Sequence, residues 1–207
     1  VSTMQSVTVD GHTVTPSKIV CVGRNYVAHI RELGNDIPDD MVVFNKPNSA
    51  ISTELLSRVD DEPLHYEGEL AFIIRGGGLA AVGFGLDLTR RELQSTLKKK
   101  GLPWERAKAF DGAALFSPFV ALPERTDDLT LQLVVDGELR QAGGVKLMMY
   151  PPAVILQELA SFTTLEDGDI VMTGTPAGVG VIRAGELFEG RVLAGERVLV
   201  SASWLAQ

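Results

Sequence analysis

The 207-residue chain has a single cysteine, Cys21, so no internal disulfide can form, and a reducing compartment, the cytoplasm, is the expected location. No apolar run approaches the ~20 residues that a membrane-spanning helix needs. The first six residues hold neither a basic stretch nor an apolar core, so no signal peptide is expected. Positive charge is scarce as well. Against 27 Asp and Glu stand 19 Lys and Arg, a net charge of −8, which argues against nucleic acid or an anionic membrane as partner. Repeats, low-complexity tracts and Ser/Gly/Pro-rich linkers are missing, so residues 1–207 are expected to form a single domain. Three catalytic signatures are absent too: Gly-x-Ser-x-Gly, His-Glu-x-x-His and Cys-x-x-Cys.

Short segments rich in valine and isoleucine, separated by turn residues, point to a β-rich fold. Asp10-Gly11 predicts a hairpin turn near the N-terminus, within residues 1–17, and Asp136-Gly137 predicts a second between residues 129–135 and 138–141. Later strands are expected at 169–173 and 197–203. Helices are fewer. One is predicted over 25–33, closed by Gly34, and another over 151–162, with prolines in its first turn. A third starts at Thr89, where Thr89 and Glu92 stand in capping-box spacing, and ends at Lys98-Lys99-Lys100-Gly101.

The chemistry concentrates around an apolar run that carries Glu67 and Glu69, followed by Asp87 after a second run. On a strand, His65, Glu67 and Glu69 would share one face. Two carboxylates side by side repel, and a divalent cation relieves that cost; three oxygen donors without a thiol favour Mg2+ or Mn2+. A solvated strand face would show the same pattern. His29 and Glu32 are neighbours if residues 25–33 are helical, and a carboxylate beside imidazole suits a base that activates water, although such pairs also occur incidentally. Lys108 and Lys46 sit in apolar surroundings and fit either a site that stabilises negative charge or a snorkelling surface role; Arg24 could equally be a salt-bridge partner. Residues 174–180 form a glycine-rich loop, whose amides and Thr175 hydroxyl could hold a carboxylate or simply turn between strands.

Taken in order, these segments resemble the fumarylacetoacetate hydrolase family. The resemblance runs through Gly23-Arg24-Asn25-Tyr26 with His29, Phe44-Asn45-Lys46-Pro47, Tyr66-Glu67-Gly68-Glu69-Leu70 and Leu86-Asp87-Leu88-Thr89. It continues through Lys108-Ala109-Phe110-Asp111 and the loop from Gly174 to Gly180. Gln94, the run from Lys98 to Trp104, and residues 137–141 are similar to the small acylpyruvate hydrolases that also decarboxylate oxaloacetate. The resemblance implies an α+β, β-rich fold, a mixed and curled β-roll with a few short helices, and a homodimer. It implies that Glu67, Glu69 and Asp87 hold Mg2+ or Mn2+, and that Lys108 is catalytic. His29 and Glu32 would act from a lid over about residues 24–40, while Arg24, Lys46, Gln94 and Thr175 would contact a small keto-acid substrate. Residues 75–79 form a shorter link between Glu69 and Asp87 than the family usually has.

The expected activity is metal-assisted cleavage of a carbon–carbon bond in acylpyruvate-type 2,4-dioxo acids, giving pyruvate and a carboxylic acid, with oxaloacetate decarboxylation at the same site. The alternative is a keto–enol tautomerase of oxaloacetate or related dicarboxylic keto acids on the same fold. A third reading is a metal-dependent, non-catalytic binding module for keto acids, which would keep the three carboxylates but give no reason to place His29 beside Glu32.

Overall fold

A computed structural model describes residues 4–207; the first three positions of the 1–17 segment lie outside the described residues. The β-rich α+β expectation holds: a curled seven-stranded sheet, a four-stranded sheet and four short helices make up the fold. The larger sheet follows the order Ala114–Phe116, Gly78–Asp87, Gly68–Arg75, Ile170–Met172, Lys18–Gly23, Val42–Pro47, with Val120–Ala121 also pairing on Gly78–Asp87. Its one parallel pair joins Ile170–Met172 to Lys18–Gly23. The smaller sheet runs Glu138–Gly144, Leu129–Val135, Leu187–Ala194, Arg197–Leu205.

Alternation along Gly68–Arg75 sorts its side chains. Leu70 and Phe72 face the smaller sheet, where they pack with Phe84, Leu131, Leu133 and Phe188. Ala71 and Ile73 face the other way, with Ile19, Cys21, Phe119, Ile170 and Met172. Glu69 continues the second face, which makes its carboxylate an extension of an apolar row. Gly190 lets the two sheets approach, because a Cβ there would run into the Phe84 ring. Gly190→Ala is expected to cost about 3 kcal/mol through overpacking. Calorimetry should then show a fall in Tm of roughly 6–12 °C. A shift under 2 °C would mean that the sheets are not so closely packed.

The short link between Glu69 and Asp87 is a complete two-residue turn. Arg75 pairs with Gly78, and Gly76 and Gly77 take φ of 58° and 76°, as a type I′ hairpin requires. The hairpin Val7–Val9 with His12–Val14 turns at Asp10-Gly11, and Asp136-Gly137 joins Leu129–Val135 to Glu138–Gly144. The helices are α1 (Val27–Glu32), α2 (Arg91–Lys99), α3 (Glu105–Lys108) and α4 (Pro152–Ala160); α4 packs Ile155 and Leu159 against Val20, Val22, Ile74 and Val171 of the larger sheet.

The capping box at Thr89 does not form. α2 starts two residues later, and no side chain of its own caps it. Glu62 instead accepts from the Glu92 and Leu93 amides at 3.1 and 3.4 Å, and also receives Arg90 Nε at 3.3 Å. Thr89 is engaged elsewhere: its hydroxyl accepts from Lys108 Nζ at 2.8 Å. A distant carboxylate thus replaced the local cap, which spacing alone does not reveal. Among the described residues no helix is long and apolar enough to cross a membrane.

Candidate active site

The paired strands Gly68–Arg75 and Gly78–Asp87 bring the acids together. Glu69 lies opposite Gly85, and the Asp87 amide donates to the Glu67 carbonyl at 2.9 Å. Glu67, Glu69 and Asp87 are all buried, with one oxygen of each within 4.8 Å of the others. Strand geometry breaks at Glu67, between His65–Tyr66 and Gly68–Arg75. His65 consequently does not join the two glutamates and lines a neighbouring groove with Glu62 and Arg91, a correction to the expected shared face.

Three cations hold two of the three acids. Lys108 Nζ donates to Asp87 Oδ2 at 2.9 Å and to Glu67 Oε2 at 3.2 Å. Arg91 donates to Glu67 Oε1 at 2.6 Å. Lys46 Nζ forms a buried ion pair with Asp87 Oδ1 at 2.7 Å. Burial acts against the Glu67 carboxylate, yet Lys108 and Arg91 outweigh it and hold its pKa well below the usual range. Burial likewise acts against the Lys108 ammonium, but Asp87 and Glu67 more than offset it and raise its pKa. Glu69 differs: burial, then the Asp87 and Glu67 charges, push its pKa well above the ordinary value. Its hydrogen-bond donor is the Gly174 amide, at 3.0 Å. A buried carboxylate repelled by two others, in a cluster of hard oxygen donors only, fits a divalent cation such as Mg2+ or Mn2+.

Glu67, Glu69, Asp87 and Lys108 open onto a narrow cleft, which His29, Arg24, Gln94 and Thr175 also line. His29 is buried, and its Nδ1 meets Glu32 Oε2 at 3.2 Å. The Gly178 amide donates to both Glu32 oxygens at 3.1 and 3.2 Å, so the glycine-rich loop fixes the residue that orients the imidazole. The carboxylates that the loop amides hold are therefore the protein's own, Glu69 and Glu32. At the start of the segment expected as a lid, Asn25 is tied to Tyr150 and Thr173 by three hydrogen bonds.

Of the expected substrate contacts, Lys46 is placed differently, and Thr175 has structural partners as well. Lys46 is wholly buried behind Asp87, donating to the Leu88 and Lys108 carbonyls, and does not reach the cavity. Thr175 lines the cavity, but its hydroxyl donates to the Gly68 carbonyl and accepts from Gln141 Nε2, at 2.8 and 2.7 Å. Both positions support the strands that carry the acids.

Sequence reasoning missed Arg91, and it read Lys98 only as a helix end. Arg91, Gln94 and Lys98 are three and four residues apart, which is one face of α2, and Arg91 donates to Gln94 at 2.8 Å. That spacing was the available signal once Gln94 had been singled out. Lys98 stands 4.8 Å from the Trp104 ring centre, and its pKa is pushed down to about 8 by burial and by the nearby Arg24, Arg91 and Lys108 charges. Trp104 in turn packs on Phe44, with ring centres 5.7 Å apart, and together they close one side of the cavity.

The family pattern described as fumarylacetoacetate (FAA) hydrolase C-terminal matches residues 18–205, which spans every residue of this site. The chain belongs to the fumarylacetoacetate hydrolase family. Oxaloacetate tautomerase YcgM of Escherichia coli (strain K12) is 40% identical over 187 residues, covering 82% of this chain and 85% of its own. The mitochondrial oxaloacetate tautomerase FAHD1 of Arabidopsis thaliana is also 40% identical, over 82% of this chain and 83% of its own. Among solved structures, fumarylpyruvate hydrolase of Pseudomonas aeruginosa, in complex with Mn2+ and pyruvate, superposes with a TM-score of 0.87 at 33% identity, over 100% of this chain and 98% of that one.

Proposed function

We propose that the protein catalyses the divalent-metal-dependent keto–enol tautomerisation of oxaloacetate or a closely related dicarboxylic keto acid. The observation that carries this reading is the buried triad of Glu67, Glu69 and Asp87 with Lys108 in contact with two of its members. The 40% identity to oxaloacetate tautomerases across the site supports tautomerisation ahead of cleavage, which reverses the order in which the sequence placed the two activities.

Glu67, Glu69 and Asp87 would hold the divalent ion, which would supply Lewis-acid polarisation of a substrate carbonyl. The protein's own groups handle the protons. Glu32 at Nδ1 leaves Nε2 as the free ring nitrogen of His29, a base for the C3 proton of the keto acid. Lys108 carries its proton on Nζ and delivers it to the developing enolate oxygen. One proton leaves carbon and one reaches oxygen, so substrate mass is unchanged; solvent then resets both groups. Phe44 and Trp104 keep bulk water from that side.

Cleavage of a 2,4-dioxo acid remains the second reading, because the His29–Glu32 pair could equally draw a proton from water, and the Pseudomonas aeruginosa neighbour is a hydrolase. Product accounting separates them. Purified protein with Mg2+ or Mn2+ is expected to leave acetylpyruvate intact and to form no pyruvate from oxaloacetate beyond the metal-only background. Stoichiometric pyruvate from acetylpyruvate would restore the hydrolase to first place, and excess pyruvate from oxaloacetate would make the enzyme a decarboxylase.

A further inference from the structure

Gln141 closes the stretch 137–141 and does not line the cleft. It lies on the strand Glu138–Gly144 of the smaller sheet, 1% exposed, with both ends of its amide bonded. Its Oε1 accepts from the Gly68 amide at 2.8 Å, and its Nε2 donates to the Thr175 hydroxyl at 2.7 Å and to the Pro176 carbonyl at 2.8 Å. The Gly68 amide can only donate and the Pro176 carbonyl can only accept, so the orientation of the side chain is settled. Gly68 stands between Glu67 and Glu69, and Thr175-Pro176 lead to Gly178, whose amide holds Glu32. One buried side chain from the second sheet therefore ties the acid-bearing strand to the loop that supports His29 through Glu32. A polar group this deep is retained only where its bonds are made, and these bonds all end on the machinery of the site.

The two ends of the loop are held differently. The Thr173 amide and hydroxyl both donate to the Leu70 carbonyl, at 3.1 and 2.8 Å, and Asn25 Nδ2 donates to the Thr173 carbonyl at 2.8 Å. Gly174, which donates to Glu69, thus follows a backbone position that the larger sheet and Asn25 already fix. Further on, the loop leans on Glu138–Gly144. Gln141 holds Thr175 and Pro176, a Cβ at Gly143 would meet Pro176 at 2.9 Å, and one at Gly178 would run into the Arg140 carbonyl. We propose that Gln141 is a positioning residue for proton transfer: through Pro176 and the Gly178 amide it holds Glu32, which holds the His29 imidazole with Nε2 free. The proposal rests on the reading of His29 as the base. Gln141 sets the geometry of that base and leaves the metal-site acids in place, because the donor to Glu69 is anchored at Thr173.

Gln141→Met keeps the length and burial of the side chain and removes the amide. In Mg2+, its kcat on oxaloacetate is expected to fall about 10–100-fold, the scale of a displaced catalytic group. KM and Mg2+ affinity should each stay within about threefold, since only an interaction used in the transition state is weakened. In Glu32→Ala protein the same substitution should lower kcat no more than about twofold, because the route through Glu32 is already gone. A signature independent of turnover comes from NMR of nitrogen-labelled histidine in the Mg2+-loaded protein. The chain has three histidines, and the His29 signals are those lost in His29→Asn. Neutral His29 should be held as the Nδ1–H tautomer in wild type and become a mixture of tautomers in Gln141→Met. Gln141→Glu keeps the acceptor for Gly68 and at most one of the two donors, so it should fall between; it also serves if the Met variant does not fold. A wild-type tautomer in both variants, or equal kcat losses with and without Glu32, would make Gln141 a structural residue and overturn the proposal. Failure of the wild type to accelerate enolisation would overturn the tautomerase reading instead, and the His29 spectra would still decide whether Gln141 sets the imidazole.

Discussion

Glu69→Gln is expected to abolish metal-dependent activity, with a loss well beyond the ~10–100-fold that outer-shell changes cause at metal sites. Its effect on stability is the more telling result. Wild-type protein with Mn2+ at a hundredfold its Kd gains about 2.7 kcal/mol, or roughly 5–11 °C in Tm. The variant should lose most of that gain. Without metal, however, it should be at least as stable as the wild type, because a neutral amide replaces a carboxylate that burial, Asp87 and Glu67 all disfavour. A raised folded-state pKa means that the folded protein binds the extra proton. Metal-free wild type should therefore lose stability as pH rises from the ordinary carboxylate value, about 4.3, through the raised folded-state value. Glu69→Gln should flatten that decline, which urea melts across pH 4–8 would read directly. A steeper decline in the variant would remove the like-charge account of the triad.

Lys108→Met is expected to separate folding from catalysis. The substitution leaves Asp87 and Glu67 without their shared cation, and breaking a buried pair in this way costs about 3–5 kcal/mol. Arg91 and Lys46 remain, so the lower end applies. Added Mn2+ should recover much of this stability, because the ion offers the same carboxylates a new positive partner. Activity should stay down by about 10²–10⁴, the usual contribution of a positioned proton donor. Thermal melts and enol-band kinetics on one preparation would check both halves. Recovery of activity along with stability would make Lys108 a structural cation only.

Local patterns made most of this fold legible. Asp10-Gly11 and Asp136-Gly137 marked their turns because two residues with positive φ are a local demand. Helices α1 and α4 followed from the Asn25–Gly34 and Pro151–Phe162 patterns. That Glu67 and Glu69 come together was readable as well, although the strand breaks at Glu67 and only Glu69 lies within Gly68–Arg75. What could not be read came from contacts across long sequence distances. Glu62 caps α2 from about 30 residues away. Lys46 was expected at the substrate, yet the Leu88 and Lys108 carbonyls draw its ammonium behind the acids. The glycine loop was expected to bind a ligand carboxylate, and its amides serve Glu69 and Glu32. In each case a side chain's local type was clear, and its partner was set by packing between distant strands.

The central claim is that the acids at Glu67, Glu69 and Asp87 organise a metal-dependent tautomerase. It is tested most directly by following the ultraviolet enol band of oxaloacetate after mixing with enzyme, in Mg2+ and in EDTA, for the wild type and Glu69→Gln. The expected result is relaxation to the keto–enol equilibrium many times faster than background for wild type in Mg2+, and background rates in EDTA and for the variant. Acceleration that survives EDTA and the loss of Glu69, or no acceleration by wild type in Mg2+, would contradict the account.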